Sequence, residues 1–351
     1  MEKNKILTII IPTYNMEKYL HKCLDSLIVS DENMQQLEVL VINDGSKDSS
    51  SQIGHEYESK YSQTFRVIDK ENGNYGSCVN RGLKEASGKY VKVLDADDYF
   101  DTSEFEKAID FMKQNDYDLV LTDYNKVDEN GHVEKMFELP IPHNQPLDFK
   151  ALLGFSARRM HMHRIFYQTD KLRAIGYHQT EGMSYTDQEW MCEPMSTVSR
   201  FYYMDICLYQ YLVGREGQTV DPAVKLKSIK QYMHAVYVMT EFYERCDGDT
   251  DHKKYVWHRL EGQLWEVYRP LLCETKNLDL TSLLEFDRRI KELSPEIYEL
   301  GDIYKVGKIR IVTFWRKWRY TNSSIFIPLF YDLIVMINKI RSLVFCDDKR
   351  F

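Results

Sequence analysis

Along the first 125 positions, apolar residues fall in short unbroken runs rich in β-branched side chains, separated by stretches with helical spacing. The runs are "LTIII" (7–11), "EVLVI" (38–42), "FRVID" (65–69), "YVKVL" (90–94) and "DLVLTDY" (118–124). Each has the length and composition of a strand. Helical spacing occupies 16–30, 48–61, 75–86 and 103–115. Asp48 or Ser49 is placed to cap the second of these helices, and Thr102 or Ser103 the fourth. Continuously apolar strands alternating with helices predict an α/β, Rossmann-like fold, a mostly parallel sheet flanked by helices on both faces.

The pattern then changes. Residues 125–147 hold Gly131, Pro140, Pro142 and Pro146 and read as a connection. Residues 148–220 mix short helices with one strand-like run, "FYYMD" (201–205). From 222 onward the spacing is helical, over 222–245, 251–275, 281–303 and 328–344. A chain of 351 residues is long for one core. Two domains are expected, 1–220 and an α-helical region over 221–351.

Composition narrows the class. Hydrophobic residues make up 43% and charged residues 28%, as in globular chains. A net charge of −8 argues against nucleic acid as a partner. From Lys305 to the end, ten Lys/Arg face three Asp/Glu, so the C-terminus is basic against an acidic remainder. The seven cysteines are widely spaced without a C-x-x-C pair, which fits reduced thiols rather than a disulfide or zinc framework. No secretory signal pattern and no apolar run of spanning length is present, so a cytoplasmic setting is expected.

The candidate chemistry lies where strands end, since ligands of open α/β sheets bind beyond the carboxyl ends of the strands. Pro12-Thr13-Tyr14-Asn15 follows the first run, Asn43-Asp44-Gly45-Ser46 the second and Asp95-Ala96-Asp97-Asp98 the fourth. In "KYVKVLDADDYFD" (89–101), Asp95 and Asp97 point the same way if the strand continues through them. Two such carboxylates suit a hard divalent cation that shares substrate phosphate oxygens. A helix start accounts for Asp98 or Asp101 but leaves Asp95 unexplained.

"TIIIPTYN", "EVLVINDGSKDSS", "NGNYGSCVNRGLKEASGKY" and "LDADDYF", in this order and at these spacings, closely resemble the GT-A glycosyltransferases of family two, an inverting group that uses nucleotide sugars. The resemblance is strong over about 5–125 and looser to about 215. It implies a nucleotide-binding half over 1–125 and an acceptor half over 126–220. It also implies that Pro12, Thr13, Tyr14 and Asn15 line the nucleoside pocket, and that Asp44, beside Gly45, accepts the uracil N3–H, favouring UDP over CMP. An Asx turn is the structural alternative for Asp44. Asn72, Gly73, Gly76 and Asn80 are implied at the diphosphate-sugar, as are Asp95, Ala96 and Asp97, with Mn²⁺ or Mg²⁺ held by Asp97 and Asp95. Many relatives carry Arg before the Asn; here Val79 precedes Asn80 and Arg81 follows it. That departure shifts the diphosphate's charge onto the metal.

The general base of the family is usually the Asp of a Glu-Asp pair that opens a helix. In "EGMSYTDQEWMCEPM" (181–195) the matching residue is Asp187, with Thr186 in place of Glu and Glu189 as the alternate base. A capping box, Thr186 with Glu189, is the structural alternative. Arg164 aligns loosely with a basic residue before the base, and Arg215 in "GREGQTVD" (214–221) is placed to clamp the diphosphate. His161 and His163 share a face if extended; further zinc ligands are not evident, so a role lining the acceptor pocket or diphosphate stands beside a purely structural one.

The basic, aromatic segment 305–345 suits either a helix at the inner face of the cell membrane or a core helix with cations directed outward. Aromatics at 255–271 read as core or as a homo-oligomer interface. The resemblance implies transfer of a sugar from a UDP-sugar to a glycan, or an undecaprenyl-linked sugar, in surface polysaccharide or capsule assembly. Two rivals are a nucleotidyltransferase, which wants a Gly-rich basic loop where "PTYNMEKYL" stands, and a non-catalytic scaffold, which predicts a degraded acidic cluster.

Overall fold

The computed structural model describes residues 5–136, 138–215, 226–274, 280–306 and 309–318. The chain divides into two compact units, Met1–Asp221 and Pro222–Phe351.

The first unit is built on one sheet. Strands β1 (Lys5–Thr13), β2 (Leu37–Asn43), β3 (Phe65–Asp69) and β4 (Gly88–Val93) lie parallel in the order β3-β2-β1-β4. β1 reads as an unbroken apolar run because both of its faces are covered. Leu7, Ile9 and Ile11 join a core with Leu24, Leu27, Phe105, Ile109 and Met112 on one face. Ile10, facing the other way, packs on the helix Asn74–Glu85 at Gly82. Burying each such Ile, Leu or Phe contributes about 1.5–3 kcal/mol.

The helices follow the expected spacing with local differences. The stretch expected as one helix over 16–30 forms α1 (Leu20–Asp25), and a separate α2 (Asp31–Gln36) follows, capped by the Ser30 hydroxyl on the Asn33 N–H. Helices α3 (Ser50–Lys60) and α4 (Asn74–Glu85) lie near their expected bounds. The cap of α5 (Thr102–Gln114) is neither Thr102 nor Ser103. Asp101 accepts from the N–H groups of Ser103 and Glu104 at 3.0 and 3.1 Å, leaving both hydroxyl residues inside the first turn.

Beyond β4 the sheet is mixed. β5 (Tyr99–Phe100) pairs antiparallel with β10 (Arg200–Val213). β6 (Leu119–Asp128) runs on into the expected connection and turns back through β7 (Val133–Lys135), while β8 (Pro146–Asp148) pairs with β10. β9 (Ile165–Gln168) is inserted antiparallel between β4 and β6. β10 extends well past 205, with register shifts between Tyr203 and Tyr209.

In the second unit, helices occupy Ile229–Arg245, Asp251–Arg269, Leu280–Leu293 and Pro295–Leu300. Residues 311–318 form a core helix, with Ile311, Val312 and Trp315 buried and Arg316 bound to Asp287 and Asp302 at 2.8 and 3.0 Å. The helix expected over 328–344 lies outside the described residues. Among the described residues no helix is long and apolar enough to cross a membrane.

Candidate functional site

The acidic cluster closes β4 as a turn, not as an extended strand. The Asp98 N–H donates to the Asp95 carbonyl at 3.0 Å. Alternation along a strand therefore does not align Asp95 with Asp97, as the sequence suggested; the turn instead brings Asp95 and Asp98 together.

β10 clamps this turn. The Tyr209 hydroxyl donates to Asp98 Oδ2 at 2.6 Å and accepts from the Asp95 N–H at 3.2 Å. The Leu212 N–H donates to Asp98 Oδ1 at 2.7 Å. Tyr75, in the first turn of α4, donates to Asp95 Oδ1 at 2.8 Å. Just past β10, Arg215 binds Asp97 through Nε. The site thus draws on both halves of the first unit.

Crowding of carboxylates sets the electrostatics. Burial, then the charge of Asp97, pushes the Asp95 carboxyl up to about 7. Burial, then the charges of Asp97 and Asp95, holds Asp98 well above the usual carboxylate range. Repulsion between adjacent carboxylates that is relieved by protons is relieved equally by a cation. The residues present therefore fit a divalent ion. Lys92 lies beneath the turn, fully buried, its amine donating to the carbonyls of His163 and Ile165 at 2.6 and 3.3 Å. Burial holds that amine well below the usual lysine range.

The loops after β1 and β2 lock together. Asn15, at φ 54°, accepts from the Lys47 N–H at 2.8 Å and donates its own N–H to Ser46 at 3.0 Å. Pro12 and Thr13 lie on β1, and Tyr14 beside them is exposed. Asp44 is buried, and its Oδ1 takes both Lys70 Nζ and the Gly73 N–H, the latter at 2.9 Å. Asn72 donates to the Asp44 carbonyl at 3.0 Å. Gly45 turns the chain at φ 74°, which favours glycine.

Asp187 opens the short helix Asp187–Trp190, preceded by Thr186. Its Oδ2 accepts from the neighbouring Gln188 side chain at 2.8 Å. Thr186 makes no side-chain cap here; its hydroxyl donates to Gln179 at 3.2 Å. Glu189 is buried and accepts from the Thr180 N–H at 2.8 Å, which ties it to the loop before Asp187.

Three residues expected at the donor make close contacts within the protein. Asn80 uses its amide on the 178–181 segment, donating to the Gln179 carbonyl at 2.9 Å and accepting from the Gln179 N–H at 2.8 Å. A Cβ on Gly76 would stand 2.0 Å from the Thr180 carbonyl oxygen, so glycine here admits that same segment. Arg164 is a correction: its guanidinium is enclosed, bound to Asp123 and to the Tyr203 hydroxyl, and is not presented to the crevice. Arg81 pairs with Glu85 on its own helix at 3.0 Å. Val79 is buried, as is Ala96 within the acidic turn.

Sequence reasoning missed Tyr75, Tyr209, Lys70 and Lys92. Tyr75 stood inside a quoted motif, whereas Tyr209 lies on the unforeseen extension of β10. The glycosyl transferase family 2 model matches residues 8–175, which contain the locked loops, the acidic turn and α4. Residues 8–175 thus match a family 2 domain. An uncharacterized glycosyltransferase of Mycoplasma pneumoniae is 32% identical over 194 residues, 51% of this chain and 60% of that protein. The poly(ribitol-phosphate) β-N-acetylglucosaminyltransferase TarS of Staphylococcus aureus is 27% identical over 216 residues, 62% of this chain and 37% of TarS. The chain thus spans less than two thirds of the length of either relative. A crystal structure of TarS residues 1–349 in complex with UDP-GlcNAc superposes with a TM-score of 0.70 at 20% identity, covering 99% of this chain and 93% of that one. The fold of the family 2 domain is GT-A, followed by a helical C-terminal region.

Proposed function

We propose that this chain transfers a sugar, with inversion, from a UDP-sugar to a hydroxyl of a glycan or lipid-linked glycan in bacterial surface polysaccharide synthesis. The observation that carries it is the acidic turn Asp95–Asp98 at the end of β4, clamped to β10 by Tyr209 and Leu212, within the matched family 2 region. TarS, named for transfer to poly(ribitol-phosphate) and crystallised with UDP-GlcNAc and with UDP, supports a UDP-sugar and a surface-polymer acceptor.

The donor enters over the loops after β1 and β2. Asp44, held by Lys70 and Gly73, receives the uracil N3–H, and Pro12, Thr13, Tyr14 and Asn15 line the nucleoside. Asp97 and Asp95 are the residues that would hold a Mn²⁺ or Mg²⁺ ion, which when bound supplies positive charge for the departing UDP. Arg215, at Asp97, lies within reach of a diphosphate. Asp187 takes the proton from the acceptor hydroxyl as it attacks the anomeric carbon from the face opposite UDP. Glu189 positions Asp187 through the 178–181 segment and is the alternate base. This chemistry suits a cytoplasmic protein working near the inner membrane surface.

The test is UDP release from a panel of UDP-sugars with Mn²⁺ or Mg²⁺, with the anomeric configuration of any product read by NMR. Metal-dependent UDP release and an inverted product are expected. Absence of both release and UDP binding overturns the reading.

A further inference from the structure

We propose that Asp95, Asp98 and His163 form a seat for a divalent transition-metal cation beneath the acidic turn, distinct from the Asp95–Asp97 pair that the family resemblance implies. One ligand atom from each of the three side chains lies within 4.8 Å of the others. Ligands at about 2.1 Å from a shared ion stand roughly 3–4.2 Å apart, so side-chain rotations of a fraction of an ångström close the seat.

His163 carries the argument. It is 2% exposed, and both ring nitrogens lack a hydrogen-bond partner. Buried polar atoms without partners are costly and call for an explanation, an ion among them. The ring is held by packing. It stacks on Tyr209 at 4.0 Å between centroids, lies 4.7 Å from Tyr211 and meets Tyr124 edge-on at 5.3 Å. Its orientation is therefore fixed, while its nitrogens stay available.

The carboxylates agree. Asp98 accepts one hydrogen bond at each oxygen, from Tyr209 and Leu212, and each oxygen keeps a further lone pair. Asp97, in contrast, is engaged by Arg215. The i, i+3 turn that joins Asp95 to Asp98 is closed by backbone hydrogen bonding, so the seat is assembled without nucleotide. An imidazole beside two carboxylates suits Mn²⁺, Co²⁺ or Zn²⁺ better than Mg²⁺, which prefers oxygen ligands and retained water. The inference goes beyond the donor reading and shares only Asp95 with it.

The experiment uses the full chain, stripped with chelator and titrated with Mn²⁺ alone, with free ion followed by EPR and imidazole nitrogen coupling by electron spin echo. One ion bound without UDP, with nitrogen coupling, is expected. His163→Phe, which keeps an aromatic ring, should abolish the coupling and weaken binding at least about tenfold. Should His163→Phe not fold, Asp98→Asn reads the same loss of affinity, and the wild-type coupling stands independently of any variant. Bound Mn²⁺ without nitrogen coupling, unchanged affinity in a folded His163→Phe, or an ion that binds only with UDP and through Asp97 would each overturn the seat. That last result leaves the donor reading intact; failure of UDP-sugar turnover with the seat intact sinks the donor reading alone.

Discussion

The Tyr209 hydroxyl lies 2.6 Å from Asp98 Oδ2 and 3.2 Å from the Asp95 N–H, so one side chain of β10 fixes both ends of the acidic turn. Tyr209→Phe deprives a buried carboxyl and a backbone N–H of that partner. A loss of about 1–3 kcal/mol in unfolding free energy is expected, measured by urea denaturation of the metal-free protein. An unchanged midpoint would show that the turn does not depend on β10.

Asp187→Asn keeps the shape of the side chain and removes its capacity to accept a proton. Transfer should fall by about 10²–10⁴-fold, while UDP-sugar binding, followed by calorimetry, is retained. Equal losses for Glu189→Gln with Asp187→Asn active would move the base to Glu189.

Asp44→Ala removes the carboxylate gripped by Lys70 and Gly73. UDP affinity should drop by roughly tenfold to a hundredfold, the scale of a hydrogen bond to a charged group. Comparison with CDP tests the base preference. Equal loss for both nucleotides means Asp44 shapes the loop rather than reading uracil.

Gly76→Ala forces a methyl group into the Thr180 carbonyl, 2.0 Å away in the present geometry. The displaced 178–182 segment leads to Asp187. Turnover should fall about a hundredfold, as expected for an ångström-scale misplacement, with donor binding little altered. A variant with full turnover would uncouple the segment from the base.

His55 joins α3 to the end of β3, bonding Glu58 at 2.7 Å and Asp69 at 2.8 Å. Hydrogen bonds from Asp69, then Glu58, raise its pKa above the ordinary value of 6.5. A histidine whose folded pKa is raised contributes stability that is fully present below about 6.5 and is lost as pH rises through the folded value. The melting temperature should therefore decline over that window, and His55→Gln should flatten the decline. The exposure of the ring makes the effect small.

Much of the first unit was legible because its central strands are covered on both faces, which leaves unbroken apolar runs such as 9–11 and 39–42. The polar clusters that end β1, β2 and β4 were visible for the same reason: they interrupt those runs abruptly. β9 escaped notice because four residues between a basic turn and Thr169 carry too little periodicity. β10 was cut short at 205 because its register shifts place polar residues where alternation predicts apolar ones.

Local sequence by itself determined which segments become strands and helices, and which carboxylates stand at the strand ends, because burial period and charge are written residue by residue. Only the tertiary structure decided what those groups face. That Arg164 is spent on Asp123, that Asn80 and Gly76 serve the segment before Asp187, and that His163 looks into the acidic turn all depend on contacts between residues 40 to more than 100 positions apart. Such contacts arise from how the sheet closes and carry no local signature.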